Sequence, residues 1–168
     1  MVTNMRCFIG MRVAEPDVIS IMQEGLDPGK FRFPDTESIH LTLMFLGDIE
    51  EKLAHVMCEF LRTSGFESLI VQPAKIIGLP TSKNPRTVAL IVNNEQLQAY
   101  HDRICESLNL VDDRKYIPHI TIARAKKGTN IRGLPVSGLD PIGPIHLQRP
   151  ALYRSTLTQH GPIHEKIC

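Results

Sequence analysis

The sequence predicts an α+β fold built on antiparallel sheets, and three features carry that prediction. Of 168 residues, 42% are hydrophobic and 22% charged, a balance that supports a globular core and excludes disorder and fibrous repeats. Short apolar, β-branched runs are interleaved with segments whose apolar residues recur at helical spacing. Many of the runs lie too close together for the dozen or more residues that a parallel crossover takes, so neighbouring strands have to run antiparallel.

Arg6 to Ala14 is the first strand, closed by Glu15 and Pro16. Asp17 to Glu24 forms a short helix, with Pro16 at its first turn and Gly25 at its end. Gly25 to Ser38 holds Pro28, Gly29, Pro34 and several charges; it reads as a loop, and at that length a functional one. Ile39 to Leu46 is a strand stopped by Gly47 and Asp48. Glu50 to Ser64 sets Leu53, Val56, Met57, Phe60 and Leu61 on one helical face, and Gly65 ends it.

The second half replays a similar order. Strands at Ser68 to Ile77 and Arg86 to Val92 flank a turn-rich stretch from Gly78 to Pro85. Asn93 or Asn94 caps a helix from Glu95 to Leu108, lined on one side by Leu97, Tyr100, Ile104 and Leu108. Pro118 to Arg124 is a strand, followed by a basic, glycine-containing stretch to Gly133 and a loop from Gly138 to Pro144. Two final strands, Ile145 to Thr158 and Pro162 to Ile167, meet at a turn through Gly161 and Pro162.

Charge and cysteine usage narrow the function. Nineteen Lys and Arg against eighteen Asp and Glu leave a net charge of +1, too little for a broad nucleic-acid coat but enough for a site gripping one or two phosphates. No apolar run approaches the roughly 20 residues of a membrane span, and the first residues lack a signal-peptide pattern. A soluble, cytoplasmic protein is expected. Cys7, Cys58, Cys105 and Cys168 are scattered without a Cys-x-x-Cys pair, which excludes zinc-ribbon and redox motifs and reads as buried or incidental thiols. With no Trp and 5% aromatics, base-stacking sites are few.

Two tetrapeptides carry the chemistry: His40-Leu41-Thr42-Leu43 and His119-Ile120-Thr121-Ile122, each inside an expected strand. Seven His and ten Thr yield about 0.4 accidental His-x-Thr, and apolar residues after both cut this to roughly 0.07, so composition does not supply two copies. In a strand, His and Thr at i and i+2 project to one side, about 6.6 Å apart at Cα, while the residues between enter the core. Two such strands side by side make a cleft with two imidazoles and two hydroxyls. Imidazole titrates near neutrality, so one ring can accept a proton while the other donates one. The hydroxyls can hold non-bridging phosphate oxygens, where transition-state charge sits. That set suits in-line phosphoryl transfer without a metal.

The paired motifs resemble those of the 2H phosphoesterase superfamily. The flanking residues, Met5 to Gly10, Ile39 to Gly47, Pro118 to Arg124 and Ser155 to Pro162, are similar to its RNA 2',3'-cyclic phosphodiesterase branch, also called 2'-5' RNA ligase, over nearly the whole chain. The resemblance implies a single domain over residues 1–168, bilobal and pseudo-twofold, with antiparallel sheets around a central cleft, helices outside, and one motif from each of two intertwined lobes. It implies hydrolysis of a terminal 2',3'-cyclic phosphate of RNA to a 2'-phosphate, with no cofactor or metal, and 2'-5' ligation as the reverse. His40 would donate a proton to the leaving 3' oxygen and His119 would activate water. Thr42, Thr121 and Arg124 would hold the phosphate, and Phe45 would pack on a base. The expected partner is an RNA with a cyclic phosphate end, tRNA fragments included; the expected state is a monomer away from membranes.

Met44 and His164 depart from the pattern, standing where a basic residue and a Tyr are common. Those departures bear on substrate grip rather than on the motifs. Two other readings stay open: a 2H enzyme for a small cyclic nucleotide, and a non-catalytic nucleotide- or RNA-binding module. His160 and His164 have a zinc-like spacing that Gly161 and Pro162 break. His55 and His101 fall in helices, and His146 has no partner motif. Lys126, Lys127 and Arg132 form either an RNA-steering loop or a solvated face. Whether Arg6, Arg149 and Arg154 face the cleft depends on strand register.

Overall fold

Alternation and helical periodicity build the elements largely where they are expected. The computed structural model describes residues 2–111, 113–134 and 143–168. Their order is β1 (Asn4–Arg12), α1 (Asp17–Gln23), β2 (Phe31–Arg32), a 3-10 turn (Thr36–Ser38), β3 (His40–Glu50), α2 (Glu51–Thr63), β4 (Leu69–Leu79), β5 (Thr87–Asn93), α3 (Glu95–Ser107), β6 (His119–Ala125), β7 (Ile145–Leu147), β8 (Ala151–Thr158) and β9 (Gly161–Lys166). Residues 138–142 of the expected loop lie outside the described residues.

The strands form a nine-stranded antiparallel sheet in the order β7-β4-β5-β6-β3-β1-β8-β9, with β2 added alongside β6. The two motif strands are therefore neighbours at its centre. The sheet also curls back on itself. Leu147 of β7 bridges Val13 just beyond β1, and Gln148 N donates to Arg12 O at 2.8 Å. This contact explains why the expected strand from Ile145 to Thr158 breaks in two. β7 pairs with β4, whereas β8 pairs with β1, and Gln148, Arg149 and Pro150 make the step between them.

Three further boundaries differ. β3 runs on to Glu50 because Gly47, at φ +70°, takes the chain through an irregularity opposite Cys7 and Phe8 instead of ending the strand. The expected loop from Gly25 to Ser38 contains β2 and the 3-10 turn. On α2 the inward stripe is Ala54, Met57 and Leu61, while Leu53 and Val56 are 37% and 53% exposed.

Packing follows the alternation of the motifs. Leu41, Leu43, Ile120 and Ile122 are at most 1% exposed and anchor the core beneath the cleft. α3 buries Leu97, Tyr100, His101, Ile104 and Cys105, and its cap is Asn94, which accepts from Gln96 N and donates to Ile70 O at 2.8 Å. The cysteine expectation needs correction: Cys58 on α2 and Cys168 form a disulfide with Cα atoms 5.8 Å apart, whereas Cys7 and Cys105 are buried. The bonded residues lie 110 positions apart, so spacing in the chain held no sign of the pair. Among the described residues no helix is long and apolar enough to cross a membrane.

Candidate active site

One registered pair organises the site. Leu41 of β3 lies opposite Ile120 of β6 in an antiparallel ladder. Continuing that register one residue each way sets His40 opposite Thr121 and Thr42 opposite His119. Each histidine thus faces the other motif's threonine across a local twofold relation, and all four line one cleft of about 430 Å³.

Both imidazoles are anchored in the same way. His40 Nδ1 lies 2.6 Å from Ser38 O, and His119 Nδ1 lies 2.8 Å from Ile117 O. A carbonyl only accepts, so each Nδ1 carries the hydrogen and each Nε2 is the reactive nitrogen. Nε2 of His40 is 3.2 Å from Thr42 Oγ1, which donates to it while the ring is neutral. Tyr116 holds the strand from behind, its hydroxyl donating to Thr42 O at 2.8 Å while its ring stacks on His101 at 4.3 Å.

The surroundings of His40 are aromatic and cationic. Phe8 of β1 stacks on it at 4.7 Å. Burial first, then the neighbouring His164, Arg124 and Arg12, press its pKa down to about 4, against an opposing pull from the Ser38 carbonyl. The ring is neutral at physiological pH in the free protein. Burial and the adjacent Arg32 likewise lower the pKa of Arg124. Arg32 and Arg124 are cross-strand partners, and neither has a carboxylate partner among the described residues. Two unpaired guanidiniums side by side make a binding place for an anion.

Relatives match the chain over nearly its full length. No protein-family model matches the chain. Among curated proteins it is 31% identical over 179 residues to the RNA 2',3'-cyclic phosphodiesterase of Methanocaldococcus jannaschii, covering 97% of this chain and 98% of that one. The chain belongs to that family. A second member, from Methanothermobacter thermautotrophicus, is 28% identical and covers 96% and 95% of the two chains. The fold agrees. TT0787 of Thermus thermophilus superposes with a TM-score of 0.74 at 20% identity, over 98% of this chain and 96% of that one. Escherichia coli LigT complexed with 3'-AMP gives 0.69 at 16% identity, over 99% and 96%. The chain is an enzyme of the RNA 2',3'-cyclic phosphodiesterase family.

His40, Thr42, Phe45, His119, Thr121 and Arg124 all line this one cleft. Phe45 stands at the rim, 71% exposed, and Arg124 lies inside. Of the three undecided arginines, Arg6 lines the cleft, Arg149 donates to Phe66 O at 2.9 Å elsewhere, and Arg154 pairs with Glu165. Met44 is 8% exposed on the core side of β3 and does not line the cleft. Lys126, Lys127 and Arg132 do not line it. Sequence reasoning missed Phe8, Arg32 and Tyr116, and it misjudged His164. Only Arg32 had a signal, its place in a loop too long to be a mere connection.

Beside the cleft is a smaller recess of about 70 Å³, walled by the segment from Arg32 to Ile39 and by the β8–β9 turn. His40, Thr121, Arg124 and His164 line both spaces.

Proposed function

We propose that this enzyme hydrolyses a terminal 2',3'-cyclic phosphate of RNA to a 2'-phosphate, with two histidines exchanging roles of acid and base across the phosphorus. The observation that carries this reading is the single cleft lined by both Nδ1-anchored imidazoles and by both motif threonines. His119 Nε2 accepts a proton from water as the water oxygen attacks phosphorus. The bond from phosphorus to the 3' oxygen breaks, and His40 Nε2 gives that oxygen a proton. Thr42 and Thr121 donate to the non-bridging oxygens, Arg124 balances their charge, and Phe45 packs on the terminal base. No metal or nucleotide cofactor takes part in these steps. With a ribose 5' hydroxyl attacking in place of water, the same bond to the 3' oxygen breaks and a 2'-5' linkage forms; reversal of that step returns the cyclic phosphate. Cyclic phosphate ends of RNA, tRNA fragments among them, are the substrate class.

His40 has to be charged to act as the acid, yet its pKa is held at about 4 in the free protein. The substrate supplies the remedy. A phosphodiester anion beside the ring favours the imidazolium, so the proton arrives with the ligand. This keeps the acid uncharged among arginines until there is an anion to offset them.

The test is turnover of an oligoribonucleotide ending in a 2',3'-cyclic phosphate, with EDTA present, by wild type, His40→Ala and His119→Ala. Release of a 2'-phosphate by wild type alone is expected. Absence of wild-type turnover, or full activity in either variant, overturns the reading; turnover of a small cyclic nucleotide instead would move the substrate class.

A further inference from the structure

Three rings meet beside the cleft, and the two motifs supply only one of them. Phe8 and His40 are stacked with planes 30° apart at 4.7 Å. His164 of β9 stands nearly perpendicular to both, at 79° and 4.9 Å from Phe8 and at 85° and 5.0 Å from His40. The three centroids thus form a nearly equilateral triangle. Turning the His40 ring about its Cβ–Cγ bond would drive it into one neighbour or the other. His164 Nδ1 is, among the described residues, a buried side-chain nitrogen without a hydrogen-bond partner. Such a group is costly to the fold and points to a use outside it.

The charged and polar groups around His40 come from every side. Arg12 approaches from β1, Arg32 from β2 and Arg124 from β6; Asp35 and the Ser38 carbonyl come from the segment before β3, and Thr42 from β3 itself. His164 is the member contributed by β9, an edge strand placed by Ser155 lying opposite His164 and by β8 pairing with β1. Burial, Arg124 and Arg12 lower its own pKa.

We propose that His164 is a positioning residue: its ring holds the His40 imidazole against Phe8 so that Nε2 stays aimed at the scissile phosphate. The inference rests on His40 being a reacting group, as set out above. It assigns the C-terminal hairpin a part in the chemistry that neither motif provides.

His164→Ala, His164→Phe and His164→Leu distinguish this role from others. With the cyclic-phosphate oligoribonucleotide, His164→Ala is expected to lower kcat about tenfold to a hundredfold, the scale of a misplaced reacting group, with KM little changed. His164→Phe should recover most of kcat because it restores the perpendicular wall. His164→Leu fills the space without a planar ring, should remain low, and carries the comparison if the alanine variant does not fold. Titration of His40 followed by NMR needs no substrate. Its midpoint, near 4 in wild type, should rise in His164→Phe, where the neighbouring ionisable group is gone, and rise further in His164→Ala, where water also reaches the ring. A loss confined to KM would make His164 a substrate contact and overturn the proposal. So would equal losses in His164→Ala and His164→Phe with the His40 midpoint unmoved. If wild type fails to turn over the oligoribonucleotide, the function above falls, while the titration still decides whether His164 sets the state of His40.

Discussion

The strands β3 and β6 carry the same His-x-Thr motif, bury the same alternate residues and anchor Nδ1 to a carbonyl two residues back. Beyond those shared features they differ. His40 is walled by Phe8 and His164 and drawn among guanidiniums, and its pKa falls to about 4. Among the described residues no aromatic ring packs on His119, and the residue two before it, Ile117, is 44% exposed. A motif sets the local geometry of a histidine, and the elements packed around it set its protonation. In this way two near-identical tetrapeptides hold their imidazoles in different surroundings.

The largest break in this comparison removes either ring. His40→Ala and His119→Ala should each cost about a thousandfold in kcat, the middle of the range for a positioned acid or base. The double variant should lose little more than either single, since the two act as a unit. A product of the two losses in the double variant would show that they act independently. Next come the threonines. Thr42→Val and Thr121→Val keep shape and lose the hydroxyl, and each should cost about a hundredfold in kcat, as for one transition-state donor. Equal losses would support equal grips on the two non-bridging oxygens; a large inequality would show that the twofold relation stops at the histidines.

Smaller effects concern the protonation of His40. His40 has its pKa lowered from 6.5 to about 4, so between those values the unfolded chain binds the proton and the folded protein does not. Stability from this group is therefore complete above pH 6.5 and is lost as pH falls through 4, a change of about 3 kcal/mol at most. Chemical denaturation from pH 7 to 4 should show the loss in wild type and a much smaller one in His40→Phe. Inorganic phosphate should raise the His40 midpoint in NMR titrations, because an anion favours the charged ring. An unchanged midpoint at saturating phosphate would remove the substrate-borne route for its proton.

A separate comparison concerns the hairpin that brings His164 to the site. Its end is tied to α2 by Cys58–Cys168, which closes a loop of 110 residues. Cys168→Ser should lower stability by about 2–4 kcal/mol, measured by chemical denaturation beside the wild type.

Much of the fold was legible in the sequence because its signals are local. The alternation of Leu41, Leu43, Ile120 and Ile122 marked both motif strands and the face they bury. Asn94 announced the start of α3, and Gly161 the last turn. Where prediction slipped, a distant partner had intervened. Gly47 ends no strand because β1 continues the ladder opposite it, and Ile145 to Thr158 is two strands because β7 and β8 are claimed by different neighbours. On α2, Leu53 and Val56 fit a helical period but lie beyond the stripe that α2 buries.

By itself, then, the sequence determined the α+β class, the two reactive tetrapeptides and the direction in which each His and Thr points. Those are consequences of side-chain alternation, which any short segment carries within itself. Tertiary structure alone decided that Leu41 faces Ile120, that Arg32 joins Arg124, that Cys58 meets Cys168 and that Phe8 and His164 enclose His40. Strand order and register choose neighbours across a sheet, and they are settled by the burial of the whole core rather than by any one run of residues.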